Sequence, residues 1–197
     1  MTRTKNSSLI EVILQRSYRE GDFTLASGQK SSFYIDLKAT TLSAEGARAV
    51  GQAICFLLQT QGLASRIEAV GGLTLGADPI ATAVSMTSLE EPFRGLRPQG
   101  YSAFIVRKDA KGHGTTKKIE GLDSVAIGSE VVVLEDVSTT GASAWQAVEA
   151  VRAAGFKVAA VVTVVDREQG AGEFFEKQGV LFLSVLKISE IKSLYRA

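Results

Sequence analysis

Residues 131–143 read Val131-Val132-Val133-Leu134-Glu135-Asp136-Val137-Ser138-Thr139-Thr140-Gly141-Ala142-Ser143. Four apolar residues, three of them β-branched, predict a strand covered on both faces, since polar alternation is missing. Side chains alternate along a strand, so the two acids at its carboxyl end point to opposite faces. A hydroxyl-rich turn then leads into a helix over residues 141–154, which Gly155 ends. Backbone N–H groups and hydroxyls at a helix N-terminus favour a phosphate, through hydrogen bonds and the helix dipole together. Carboxylates just upstream would repel a bare phosphate but accept hydrogen bonds from sugar hydroxyls. Acids for a diol beside amides for a phosphate specify one ligand shape, a ribose 5-phosphate. The alternative is plain: two solvated acids at a strand end, and three hydroxyl residues capping a helix. The stretch is neither a Gly-Lys-Ser/Thr phosphate loop nor a GxGxxG dinucleotide turn.

Working outward, residues 158–165 form a second apolar, β-branched run, followed by a short helix and an apolar strand over residues 180–186. Upstream, residues 67–70 and 102–106 predict short strands, the first leading through a Gly-rich turn into a helix around residues 79–86. Strands alternating with helices predict an α/β chain with a central, mainly parallel sheet flanked by helices. Ligands of such sheets bind beyond the carboxyl ends of the strands. Nearer the start, Ser8-Leu9-Ile10-Glu11 has capping-box spacing ahead of a helix through Tyr18. Phe23-Thr24-Leu25-Ala26-Ser27-Gly28 and Ser32-Phe33-Tyr34-Ile35-Asp36 predict a hairpin around a Ser-Gly turn. Ser43, with Glu45 in the first turn, opens a helix that Gly62 stops. Residues 109–118 are basic and Gly-punctuated, with neither helical nor strand period, as in a functional or a disordered loop.

The 197 residues suit a single domain. A net charge of +1 gives no reason to expect nucleic acid or a membrane surface as partner. No apolar run approaches a membrane span, and no secretory leader is visible. Cys55, the only cysteine, lies in an apolar helical stretch and is expected to be a small buried hydrophobe. A single cysteine excludes an intrachain disulfide, so a cytoplasmic location is expected.

Leu134-Glu135-Asp136-Val137-Ser138-Thr139-Thr140-Gly141 resembles the motif with which type I phosphoribosyltransferases bind phosphoribosyl pyrophosphate (PRPP). The hairpin segments resemble the N-terminal hairpin of the orotate phosphoribosyltransferases. Arg107-Lys108-Asp109-Ala110-Lys111-Gly112-His113-Gly114 resembles their mobile catalytic loop, and Val165-Asp166-Arg167 the segment whose arginine meets the orotate carboxylate. The four segments stand in the family's order and cover nearly the whole chain.

The resemblance implies a type I phosphoribosyltransferase fold over residues 1–197, with a small helix-and-hairpin hood at residues 1–40 and a mobile catalytic loop at residues 108–121. It implies that Glu135 and Asp136 hold the ribose hydroxyls, while Val137, Ser138, Thr139, Thr140, Gly141, Ala142 and Ser143 cradle the 5-phosphate. Thr139 would also touch orotate, Arg167 would bind it, and Tyr34 with Ile35 would wall the base pocket; Tyr34 could equally be core. Arg107, Lys108, Lys111 and His113 would grip the pyrophosphate, some reaching into the neighbouring subunit of a homodimer. Lys111, His113 and Asp136 are the implied catalytic residues. Mg2+ would arrive on PRPP, held mainly by phosphates and waters and not by direct protein ligation.

The chemistry suits these residues. Displacing pyrophosphate builds positive charge on the sugar and negative charge on the leaving group. Cationic side chains would stabilise the latter and Asp136 the former. Orotate brings its own nitrogen nucleophile, so the rest is alignment and exclusion of water. His113, the only histidine, could instead be a solvated surface residue.

Two positions depart from the family. Many members carry a lysine where this chain has Ala26, and a basic residue in the loop where residues 71–79 have none. Backbone amides of the 71–76 turn are expected to take over part of the anion binding, as a nest does. Transfer to a purine or uracil is the nearest rival, but a neutral base needs no arginine. A PRPP-sensing regulator would need a nucleic-acid-binding face that the charge balance does not suggest. A nucleotide-binding scaffold without chemistry would leave the basic loop idle.

Overall fold

The structure, a computed structural model, describes residues 7–24, 28, 30–108 and 118–195. The chain opens with α1 (Ser7–Arg16), β1 (Tyr18–Thr24), β2 (Lys30–Ile35) and the one-turn α2 (Lys38–Thr41). It continues through α3 (Ala44–Thr60), β3 (Ile67–Leu73), α4 (Ala77–Thr87), β4 (Ser102–Val106) and β5 (Ile119–Glu120). The last part comprises β6 (Glu130–Ser138), α5 (Ala142–Ala153), β7 (Lys157–Asp166), α6 (Ala171–Lys177), β8 (Phe182–Lys187) and α7 (Ile188–Tyr195).

One sheet has the order β5-β4-β3-β6-β7-β8, parallel throughout except for the antiparallel edge pair β4–β5. The apolar runs are covered on both faces, as expected. Val132, Leu134 and Val162 pack with α1, α3 and α4, while Val131, Val133 and Val161 pack with α5 and Phe175 of α6. Each such side chain, fully buried, contributes about 1.5–3 kcal/mol from removal of apolar surface from water. Cys55 is buried in the first cluster, and burial pushes its thiol up to about 12, so it packs as a hydrophobe.

Several boundaries differ from the sequence-based expectation. The first helix ends at Arg16, and Tyr18 instead opens β1 opposite Ile35, with its ring stacked on Phe33 at 5.9 Å. Pairing and burial offered by the hairpin outweigh continuation of the helical period. Gly71 and Gly72 belong to β3 and not to the turn after it. A Cβ at Gly71 would strike the Phe104 carbonyl, and one at Gly72 the Leu134 carbonyl. β6 runs four residues beyond the expected 131–134, because Glu135, Val137 and Ser138 pair with Thr163, Val165 and Asp166 of β7. At the far end of the expected loop, Ile119 and Glu120 pair with Val106 and Ile105. The helices α2 and α7 were not anticipated.

Candidate active site

The carboxyl ends of β3 and β6, the start of α5 and the hood enclose a cleft of about 330 Å³. Its walls include Thr74, Gly76, Glu135, Asp136, Ser143 and two lysines, Lys38 and Lys108. β6 supplies the acids because its last pairings with β7 hold the strand extended past the apolar core.

Alternation decides what each acid meets. Glu135 follows Val133 onto the α5 side, where its Oε2 is buried and no hydrogen bond of ordinary geometry reaches it. Burial pushes its carboxyl up to about 7; the adjacent Asp136 charge adds to this, while the Ser138 hydroxyl and the Ala144 N–H oppose it. Asp136 faces the other way. Its Oδ1 accepts from the Val137 N–H at 2.9 Å, and the carboxylate abuts Gly76. A Cβ at Gly76 would lie 2.6 Å from Asp136 Oδ1, so any side chain there, a lysine included, would have to displace the Asp136 carboxylate.

The turn between β6 and α5 ends at Gly141, whose φ of 86° is left-handed and whose missing Cβ would come within 2.7 Å of the Phe175 ring. Ser138 is buried with its hydroxyl turned to Glu135 but in no hydrogen bond of ordinary geometry, Thr139 is half-buried, and Thr140, Ala142 and Ser143 are exposed. The α5 amides at Ala142 and Ser143 lie in the first turn, where intrahelical acceptors are lacking. After β3, the Thr74 N–H donates to the Val106 carbonyl, leaving the Leu75 and Gly76 amides without a backbone acceptor among the described residues. The nest expected over residues 71–76 thus narrows to 75–76, since Gly71 and Gly72 are in the sheet.

Arg167 lies one strand over, its N–H donating to the Ser138 carbonyl at 2.9 Å. Its guanidinium sits 4.9 Å from the centre of the Phe33 ring, and its Nε is buried without a hydrogen bond. Burial lowers its pKa, and no carboxylate pairs with it among the described residues. Tyr34 and Ile35 were expected to wall one pocket together, but neighbours on a strand face opposite ways. Tyr34 is 45% exposed against Phe23, while Ile35 packs on the core; the aromatic ring under Arg167 is Phe33. Arg107 is paired with Glu120 at 3.6 Å and is not part of the cleft wall. Lys111 and His113 lie outside the described residues, as does Ala26. Sequence reasoning missed Lys38. The usable signal was Asp36-Leu37-Lys38, an acid placed to cap a helix start and to hold a lysine there.

No protein-family model matches the sequence. The orotate phosphoribosyltransferase of Synechocystis sp. is 49% identical over 188 residues, covering 95% of this chain and 89% of that one. The chain belongs to the orotate phosphoribosyltransferase family. The Mycobacterium tuberculosis orotate phosphoribosyltransferase solved with Fe(III) dicitrate superimposes with a TM-score of 0.78 at 40% identity, covering 94% of this chain and 98% of that one. A crystal of the same enzyme in complex with PRPP gives a TM-score of 0.75 at 37% identity, covering 95% and 98%. The fold of this orotate phosphoribosyltransferase chain is therefore that of the type I phosphoribosyltransferases, as the four sequence segments implied.

Proposed function

We propose that this cleft transfers the ribose 5-phosphate unit of PRPP to orotate, giving orotidine 5'-monophosphate and pyrophosphate in the synthesis of pyrimidine nucleotides. The observation that carries the choice of orotate is Arg167, a half-buried guanidinium with no carboxylate partner among the described residues, one strand from the acids that suit a ribose diol. A planar guanidinium grips a carboxylate in two parallel hydrogen bonds, and a base without a carboxylate would leave it unpaired.

In this reading Glu135 and Asp136 accept from the ribose hydroxyls, and residues 137–143 surround the 5-phosphate at the start of α5. The orotate ring nitrogen forms a bond to the anomeric carbon as the bond to the pyrophosphate oxygen breaks. The ring N–H proton passes to solvent, and the electron pair leaves with pyrophosphate. Asp136 faces the sugar as positive charge develops there; Lys108, Lys111 and His113 face the leaving group. The Asp136 carboxylate borders the cleft and is an oxygen donor of the kind Mg2+ accepts when it arrives on PRPP. Bound there, the ion would neutralise charge on the leaving pyrophosphate.

A homodimer completes the site by sharing the loop that carries Lys111 and His113. Leu42, Leu75 and Met86 are 73, 70 and 67% exposed on the α2–α4 side, and the first two border a hollow with Pro79, an apolar face suited to a second copy. No helix among the described residues is long and apolar enough to cross a membrane. The single buried thiol fits a cytoplasmic enzyme.

The direct experiment follows orotate absorbance on mixing protein, PRPP and Mg2+, with hypoxanthine and uracil as parallel acceptors read by pyrophosphate release. Loss of orotate that needs both PRPP and Mg2+ is the expected result. Pyrophosphate release with another base and none with orotate would move the specificity away from Arg167.

A further inference from the structure

We infer that Lys38 is a pyrophosphate-positioning residue, supplying from the hood the positive charge that the turn after β3 does not carry. This rests on the reading that PRPP occupies the cleft. Lys38 and Lys108 are the two cations on the cleft wall among the described residues, and Lys38 borders it together with Thr74, Leu75 and Gly76. That turn offers amides but has no cation, and a side chain at Gly76 would have to displace the Asp136 carboxylate.

The ammonium is held in place before any ligand arrives. Asp36 Oδ1 accepts both from Lys38 Nζ, at 2.8 Å, and from the Lys38 backbone N–H, at 3.0 Å. This pair fixes the lysine at the first residue of α2 and orders a side chain that would otherwise lose rotamer freedom on binding. The hydrogen bond to Asp36 raises the lysine's pKa, and the Asp136 carboxylate is near enough to add to the rise. Lys38 therefore stays charged, and close to the acid that faces the ribose.

Strand order says which part of the substrate it meets. β6 carries the ribose acids; β3 and its turn lie on one side of β6, and β7 with Arg167 on the other. In a displacement the entering nitrogen and the departing oxygen lie on opposite sides of the anomeric carbon. With the base on the β7 side, pyrophosphate lies on the β3 side, where Lys38 stands. The 5-phosphate has its own cradle at the start of α5.

The test measures inhibition of the enzyme by inorganic pyrophosphate and by orotidine 5'-monophosphate, in wild type, Lys38→Met and Lys38→Arg. Loss of one charge-assisted hydrogen bond should weaken pyrophosphate inhibition and raise the KM for PRPP by about tenfold or more in Lys38→Met. Inhibition by the nucleotide should change less than about twofold, with Lys38→Arg retaining most of the pyrophosphate affinity. Equal weakening of both inhibitors would make Lys38 a mere support of the hood and overturn the inference. Unchanged pyrophosphate inhibition would overturn it too. A wild-type protein that makes no nucleotide from orotate would instead sink the functional reading on which it rests.

Discussion

Glu135 is held between two demands, since a ribose diol binds best to an ionised carboxylate while the protein around it favours the neutral acid. With burial pushing its folded pKa up to about 7 from an ordinary 4.5, the folded chain keeps a proton that the unfolded chain has already lost. Stability from this group is thus fully present below pH 4.5 and is lost as pH rises toward 7. Glu135→Gln removes that loss. Thermal melts should show the variant gaining on wild type as pH climbs, reaching roughly 3 °C or more at pH 8, with no gain at pH 4.5. The same variant should bind PRPP more weakly at pH 8, because an amide is a poorer acceptor for two hydroxyls than a carboxylate. A melting difference that stays flat across this range would mean that Glu135 is ionised in the empty cleft.

At the scale of elements, the β6–turn–α5 unit depends on one residue without a side chain. Gly141 combines a left-handed φ with close approach to Phe175, whose ring also stacks on Phe182 at 5.3 Å. Gly141→Ala should cost about 2–3 kcal/mol from backbone strain and overpacking, lowering the melting temperature by roughly 5–10 °C. PRPP affinity should fall with it as the turn shifts. A variant with wild-type melting would show that α6 yields readily and that the turn is not set by this contact. The same unit was the most legible part of the sequence, because an unbroken apolar run, paired acids, a hydroxyl turn and Gly141 all point one way. Elements whose existence depends on distant partners were not legible. Tyr18 fits the helical period yet is recruited by Ile35, and Ile119 needs Val106 before it can be a strand. Lys38 escaped for a related reason: Asp36-Leu37-Lys38 marks a held lysine, but only the fold shows that it faces a cleft whose other wall is a turn near residue 75. Glu135 and Asp136 were read correctly as a pair pointing apart, but only their surroundings reveal that one has a buried carboxyl oxygen and the other abuts Gly76.

For the whole molecule, the apolar face around Leu42, Leu75 and Met86 and the basic segment from Arg107 to Lys118 have to be explained together. Leu75 belongs at once to that face and to the cleft wall, so a second copy seated on the face would lie at the rim of the first copy's cleft. In the homodimer proposed above, each copy's basic loop would serve the other's substrate. Mixing two inactive variants tests this. Lys111→Ala disables the loop and Asp136→Asn the cleft, and neither should work alone. If the loop serves the partner, a mixed dimer carries both defects in one cleft and none in the other. Random exchange at equal concentrations should then restore about a quarter of wild-type activity per subunit. Met86→Asp, by placing a charge in the apolar face, should yield a monomer by light scattering and abolish the restoration. If the loop instead closes over its own cleft, every mixed dimer holds two crippled sites, and the mixture stays as inactive as its parts.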